Sequence, residues 1–169
     1  MQSVLISIRP QWCAKIANGK KTIEVRKTRP KLAVPFKCYI YRCLERSGDI
    51  YTTSGKVVGE FVCDKMYGIY YSIYPHDPPV FEEIGTLNRP NVMAETCLSE
   101  IELNDYLDGE TGYGWHISAL KIYDKPRELS EFHKPIMPMG LRYEEDAITR
   151  APQSWCYVEE LEEPCKTKN

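Results

Sequence analysis

The alternation of apolar and polar residues predicts much of the secondary structure of this chain. The short apolar run Val4–Ile8 predicts a buried strand near the start. Several later runs alternate between apolar and polar residues, as half-buried strands do. These alternating runs are 36–43, 56–64, 114–123 and 154–160. We therefore expect a mixed α+β protein that is rich in short strands.

Two segments carry the signals of short helices. Pro10 suits the first turn of a helix, because the missing N–H there would have no partner inside the helix. Gly19 is a natural end for that helix, since glycine accepts the left-handed conformation without a side-chain clash. Further along, Ser99 and Glu102 have the spacing of a capping box. The sequence thus predicts one helix after the first strand and another that begins at Ser99.

After the first helix the pattern changes to a period of two. Ile23 and Val25 then point to one side of a strand, while Thr22, Glu24 and Arg26 point to the other. The polar row is either the solvated outer face of a strand or the wall of a small concave site. Glu24 is the only acid within a cluster of basic residues. The cluster consists of Lys15, Lys20, Lys21, Arg26, Lys27, Arg29, Lys31 and Lys37. A carboxylate among so many cations stays ionised, so it serves as a hydrogen-bond acceptor or a base.

Length and charge limit the classes of partner. The chain has 169 residues, of which 43% are hydrophobic, so we expect a single domain over 1–169. Its net charge of −2 argues against broad binding to duplexes. A local basic cluster still permits binding of a short nucleic-acid segment or one nucleotide.

The seven cysteines do not form a recognised metal pattern. There is no CxxC pair and no histidine at zinc-finger spacing, so no metal site is predicted, and no cofactor is expected either. The odd number of cysteines without a signal peptide indicates reduced thiols and a cytoplasmic protein. No apolar run is as long as a membrane span.

One run of residues resembles a known signature. It has the pattern Trp-x-x-x-Ile-x-x-Gly-x-Lys-Thr-x-Glu-x-Arg and comprises Trp12, Ile16, Gly19, Lys21, Thr22, Glu24 and Arg26. Together with the GKVVGEF segment 55–61 and Trp155, it is similar to the ASCH domain family of PUA-like β-barrels. The resemblance implies a small β-barrel with flanking helices. It also implies a cleft lined by the GKKTIEVR segment and a nucleic-acid or nucleoside ligand.

The resemblance leaves two functions open. The first is binding of RNA, another single-stranded nucleic acid or a modified nucleoside, with cationic groups on phosphates or base edges and an aromatic ring that stacks. The candidate ligand-binding residues are Trp12, Lys15, Lys20, Lys21, Thr22, Arg26, Lys27 and Tyr41. The second is an amidohydrolase that acts on N4-acylated cytidine, as some small bacterial members do, with Lys21 and Glu24 as catalytic residues. Those enzymes resemble GxKTxTxR, with threonine where this chain has Glu24, and this difference favours binding.

The segment 65–97 is rich in tyrosines and interrupted by prolines. We expect it to be a loop that covers one end of the barrel. The alternative is that its aromatic side chains stack on the bases of a single strand.

Overall fold

The computed structural model describes residues 1–47, 50–51, 55–72, 74, 77–86, 88–135 and 146–161. Within these ranges the chain forms eleven strands and two α-helices, so the expected mixed α+β class is confirmed. The strands are β1 (Gln2–Ile8), β2 (Ile23–Arg26), β3 (Phe36–Arg42), β4 (Arg46–Ser47), β5 (Ile50–Tyr51), β6 (Val57–Cys63), β7 (Met66–Tyr70), β8 (Val80–Glu83), β9 (Gly112–His116), β10 (Ser118–Arg127) and β11 (Trp155–Glu159). The helices are α1 (Pro10–Ala17) and α2 (Glu100–Leu107), with single 3-10 turns at Ala94–Thr96 and Leu129–Glu131. Among these helices, none has the length and apolar character needed to cross a membrane.

The strands form two main sheets. One has five strands in the order β10-β6-β3-β1-β11, and the other has four in the order β2-β9-β7-β8. β1 and β3 are parallel, whereas the other neighbours in these two sheets are antiparallel. Over the described ranges both sheets are open. The closed barrel implied by the family resemblance is therefore not confirmed.

Two of the connections between the main sheets are very short. β6 continues into β7 after two residues, and β9 continues into β10 after Ile117. The backbone remains hydrogen-bonded at this corner, where the N–H of His116 donates to the carbonyl of Lys65 at 3.0 Å. The N–H of Ile117 donates to the carbonyl of Thr22 at 2.8 Å. The single strand expected over 114–123 is consequently two strands in different sheets.

Buried side chains cover both faces of each main sheet. Val4 and Ile6 of β1 belong to a first core that also contains α1 residues and Trp115 of β9. Leu5, between them, belongs to a second core on the opposite face of the five-stranded sheet. A third core packs Ile23 and Val25 of β2 with buried leucines of α2. α2 therefore covers the apolar face of β2, which leaves the polar row of β2 on the side of the first core.

β6 has an irregularity at Gly59, where its pairing with β3 shifts register and a Cβ atom would lie 2.6 Å from the carbonyl of Lys121. The two predicted helix boundaries are confirmed. Gly19 has φ +75° and follows α1. At the start of α2 the Ser99 hydroxyl accepts from the N–H of Glu102, whose carboxylate accepts from the N–H of Ser99.

The loop expected over 65–97 is only partly confirmed. The segment contains β7 and β8, and β7 is an internal strand between β9 and β8. Tyr67 and Phe81 are buried in the third core, so these aromatic residues do not present their rings to a ligand. The interpretation as a loop was wrong for these strands because the prolines interrupt the segment between them rather than within them.

Candidate ligand-binding site

A cavity of about 410 Å³ lies where the start of α1, β2, α2 and the segment before β11 meet. Its volume is within the usual range for small-molecule sites. The lining residues are Ser7, Arg9, Gln11, Trp12, Lys21, Glu24, Val25, Arg26, Cys43, Leu98, Glu102, Tyr106, Gln153 and Ser154. The cavity therefore contains both ionisable and aromatic side chains.

Strand pairing explains why the polar row of β2 is buried. Glu24 is paired with Trp115 of β9, and directly opposed residues in an antiparallel pair share a face. Trp115 is fully buried in the first core. Glu24 consequently projects to an interior face and is only 4% exposed. The alternative that the row is a solvated outer face is excluded by this arrangement.

The carboxylate of Glu24 lies between two cations. Lys21 Nζ is 3.4 Å from Glu24 Oε2, and Arg26 Nη2 is 3.1 Å from Glu24 Oε1. Both cations also donate to backbone carbonyls: Lys21 Nζ to Thr96 and Arg26 Nη2 to Ser7, each at 2.6 Å. Lys21, Glu24 and Arg26 thus connect β2 to β1 and to the 3-10 turn that precedes α2. These contacts hold the three side chains in position.

Burial changes the chemistry of Lys21, Glu24 and Arg26. Lys21 is 2% exposed, and the loss of water lowers the pKa of its amine although Glu24 opposes the change. Glu24 Oε2 lies 3.4 Å from Lys21 Nζ, and this ion pair is its described contact. Arg26 Nε is buried and donates to no described residue. The cavity-lining residues therefore include a buried donor without a described partner and a buried carboxylate oxygen whose described contact is a single cation.

Two aromatic side chains form part of the cavity wall, and cations lie against both. Lys15 Nζ is 4.6 Å and Lys21 Nζ 5.1 Å from the centroid of the Trp12 ring. Lys27 Nζ is 5.8 Å from the centroid of the Tyr106 ring. These distances allow cation–π attraction, which holds positive charge beside the aromatic walls.

The structure brings together part of the predicted set. Trp12, Lys21, Glu24 and Arg26 line the cavity. Lys15 and Lys27 do not line it, but each contacts an aromatic residue that does.

Three other candidates lie outside the cavity. Lys20 is exposed in the turn after α1, where its backbone N–H donates to the side chain of Asn18. Thr22 uses its backbone to pair with neighbouring segments, and its side chain does not line the cavity. Tyr41 is buried in the second core, because the alternation of β3 directs it to the face opposite the first core.

Sequence reasoning missed most of the remaining wall. Ser7, Tyr106 and Ser154 come from segments far apart in the chain, and no short motif links them. Ser7 meets Ser154 because β1 pairs with β11, where the N–H of Ser7 donates to the carbonyl of Ser154 at 2.9 Å. The described residues include no group of three histidine, cysteine or acidic side chains that a metal site would require.

Comparison with known proteins identifies the fold. The sequence matches no protein-family model and no curated protein. The structure is similar to the crystal structure of ASCH from Zymomonas mobilis, with a TM-score of 0.60 and 20% identity over 94% of this chain and 88% of that one. This chain has an ASCH-type fold.

Two substituted forms of the same Zymomonas mobilis protein are also similar. The tyrosine-to-phenylalanine form gives a TM-score of 0.58 at 19% identity, covering 94% of this chain and 91% of that one. The serine-to-alanine form gives 0.57 at 17% identity, covering 94% and 89%. At these identities the similarity concerns the fold, and the residues of the cavity have to be judged by their own chemistry.

Residues of the Trp-x-x-x-Ile-x-x-Gly-x-Lys-Thr-x-Glu-x-Arg run have different roles in this structure. Ile16 is buried in the first core, and Gly19 ends α1, so both support the local structure. Trp12, Lys21 and Glu24 line the cavity instead. One short segment thus supplies both a helix-to-strand turn and the ionisable part of the cavity.

Proposed function

We propose that this protein binds one nucleoside unit in the cavity, either within single-stranded RNA or as a free modified nucleoside. The observation that carries the proposal is a buried donor without a described partner, Arg26 Nε, beside the carboxylate of Glu24 in the lining of a cavity with aromatic walls. A ligand that offers one hydrogen-bond donor and one hydrogen-bond acceptor would pair with both groups.

Nucleobases are ligands of that kind. Their edges carry hydrogen-bond donors beside acceptors, and proteins bind these edges with carboxylates and guanidinium groups. A buried polar group without a partner costs about 1–3 kcal/mol, so a base that satisfies Arg26 Nε would gain that free energy. Their π faces also stack on aromatic side chains, which Trp12 and Tyr106 provide here.

The distribution of charge favours the base inside and the phosphates outside. Within the cavity lining, Glu24 and Glu102 offset two of the three positive charges of Arg9, Lys21 and Arg26, so a single positive charge remains there for a phosphate. Lys15 and Lys27 lie outside the lining but beside its aromatic residues. In this proposal they contact phosphates next to a bound base.

Calorimetric titration tests this proposal directly. The probes are cytidine, N4-acetylcytidine, uridine, adenosine and guanosine, together with short RNA and DNA single strands. Tyr106→Leu removes an aromatic wall, and we expect it to weaken binding by about tenfold or more, the scale of one lost base stack. Tyr74→Leu is the matched control, because Tyr74 is also an exposed tyrosine but does not line the cavity.

Equally strong binding by Tyr106→Leu and Tyr74→Leu would indicate that the ligand binds outside the cavity. Absence of binding for every nucleoside and single strand at millimolar concentration would contradict the proposal itself. Preference for DNA over RNA strands of the same sequence would correct the class of nucleic acid.

A second candidate function is hydrolysis of an N4-acylated cytidine-type nucleoside. The observation in its favour is the position of the Lys21 amine, which lies in the cavity lining 3.4 Å from the carboxylate of Glu24. In such a reaction water attacks the acyl carbon, and the C–N bond then breaks to give a carboxylic acid and an amine. Glu24 would take a proton from the water and return it to the leaving nitrogen, while Lys21 would stabilise the oxyanion.

This candidate is tested by a time course with N4-acetylcytidine in the absence of added metal. We expect no product from the natural protein, because Glu24 occupies the position of a threonine in the enzyme-like motif. If product does form, Lys21→Ala should abolish it and Glu24→Gln should slow it by about 10² to 10⁴. Turnover by the natural protein that is lost in Lys21→Ala would establish the hydrolase over the binding protein.

A further inference from the structure

A second surface lies beside the cavity and is built on the segment 27–31, which we call the basic segment. Hydrogen bonds to β11 hold this segment in place. The indole Nε1 of Trp155 donates to the hydroxyl of Thr28 at 3.0 Å. The backbone N–H of Lys31 donates to the hydroxyl of Tyr157 at 2.7 Å. The segment is therefore attached at two points to a strand of the five-stranded sheet.

The basic segment holds cations against aromatic rings. Lys27 Nζ lies 5.8 Å from the centroid of the Tyr106 ring, and Arg29 Cζ lies 5.6 Å from that of Tyr113. Both cations are exposed, and neither forms an ion pair with a carboxylate of the described residues. Arg26 is different, because it forms an ion pair with Glu24 that offsets its charge. The surface thus presents positive charge that the described chain does not neutralise, next to two tyrosine rings.

This surface is continuous with the cavity. Tyr106 belongs to the cavity wall and also carries Lys27 over its ring. Tyr113 is the cross-strand partner of Arg26, which lines the cavity. Arg29 is three positions after Arg26, so their Cα atoms are at most about 11 Å apart. A nucleic-acid strand that leaves the cavity on this side would contact the basic segment directly.

We propose that the basic segment, with Tyr106 and Tyr113, binds the nucleotide that adjoins the cavity in a single-stranded RNA. The proposal rests on the proposed function, since it extends the site by one nucleotide. Proteins that bind single strands combine backbone-tracking cations with aromatic rings on which bases stack. The basic segment offers both within a few residues.

The same surface is poorly suited to a duplex. Bases in a duplex are paired and stacked, so their faces cannot reach Tyr106 or Tyr113. In addition, the exposed carboxylates Asp105, Asp108 and Glu110 flank Tyr106 in the chain and would repel a second strand. The strand is therefore expected to run on the side of Lys27 and Arg29.

The test compares salt-dependent binding of a labelled short RNA single strand to two double variants. Lys27→Ala/Arg29→Ala removes the proposed contacts. Lys125→Ala/Lys134→Ala is the matched control, because it removes the same charge from exposed positions outside this surface. We expect the first variant to weaken binding by about tenfold or more and to reduce the slope of log affinity against log salt by about 1.4, or 0.7 per phosphate contact. The control should leave both quantities close to those of the natural protein.

Titration with free nucleosides separates this proposal from the one on which it rests. Nucleoside affinity should not change in Arg29→Ala, because Arg29 does not line the cavity and its ring contact is with Tyr113. Loss of strand binding in Lys27→Ala/Arg29→Ala alone, while no nucleoside binds the natural protein, would support the basic segment and reject the cavity. As a second variant, Tyr113→Leu keeps an apolar side chain and should weaken strand binding roughly tenfold by loss of stacking.

Three results would overturn the inference. The first is strand binding that is unchanged in Lys27→Ala/Arg29→Ala. The second is an equal loss in the control, which would indicate general electrostatic attraction. The third is equal affinity for an RNA duplex of the same length, or for single-stranded DNA, which would reject the assignment to single-stranded RNA.

Discussion

Two carboxylates in this protein each lie between two cations, and they differ in their surroundings. Glu24 is in the cavity. Glu60 is on β6, where its Oε1 lies 3.9 Å from Lys37 Nζ and 4.0 Å from Lys121 Nζ. The hydroxyl of Tyr123 also donates to Glu60. By residue type alone, the two clusters look alike.

Access to water separates them. The side chains of Lys21 and Glu24 are 2% and 6% exposed, whereas those of Lys37 and Glu60 are 22% and 15% exposed. Burial lowers the pKa of Lys21 more than Glu24 raises it. Burial also lowers the pKa of Lys37, but a hydrogen bond to Glu160 and the nearby negative charges outweigh it, so the pKa is raised overall. The comparison shows that desolvation, rather than the choice of residues, gives the cavity its unusual lysine.

The largest expected difference between the clusters is in stability. Glu24→Gln removes the only described carboxylate that balances two buried cations, so we expect the free energy of unfolding at neutral pH to fall by about 3–5 kcal/mol. Glu60→Gln should cost only about 1–2 kcal/mol, because glutamine can still accept from Tyr123 and Lys37 can reach water. Urea denaturation of the two variants beside the natural protein measures both values.

Equal losses of unfolding free energy in Glu24→Gln and Glu60→Gln would contradict this expectation. They would show that burial does not determine the free-energy cost of removing the carboxylate. A small loss for Glu24→Gln alone would indicate that Lys21 is already neutral in the folded protein at that pH.

The local part of this site could be predicted from the sequence. Glu24 and Arg26 alternate with apolar residues, and that pattern correctly places both on one side of β2. Gly19 and the Ser99 cap were predictable for the same reason, because turns and caps depend on neighbours within a few residues. The solved ASCH structures confirm the fold to which these residues pointed.

The remaining features depend on contacts between distant segments. Alternation assigns Tyr41 to a face of β3, but it does not say that this face meets Phe132 in the second core instead of the cavity. Tyr106 reaches the cavity only because α2 packs on β2, and Ser154 only because β11 pairs with β1. The corner at Ile117, which divides the expected strand between two sheets, is likewise set by pairing with other strands.

A smaller and more specific effect is expected in titration. It is the order in which Lys21 and Lys37 lose their protons as the pH rises. Lysine side-chain resonances followed by NMR through alkaline pH should show Lys21 titrating below its ordinary pKa of 10.5 and Lys37 above it. The linkage to stability has opposite signs. Between the folded pKa of Lys21 and 10.5 the unfolded chain binds more protons, so the contribution of Lys21 to stability rises with pH. Above 10.5 the folded protein keeps the proton of Lys37 longer, so the contribution of Lys37 falls as pH rises through its folded pKa. Glu60→Gln should lower the pKa of Lys37 and leave that of Lys21 in place, whereas two lysines that titrate together near 10.5 would remove the distinction between the cavity and the surface cluster.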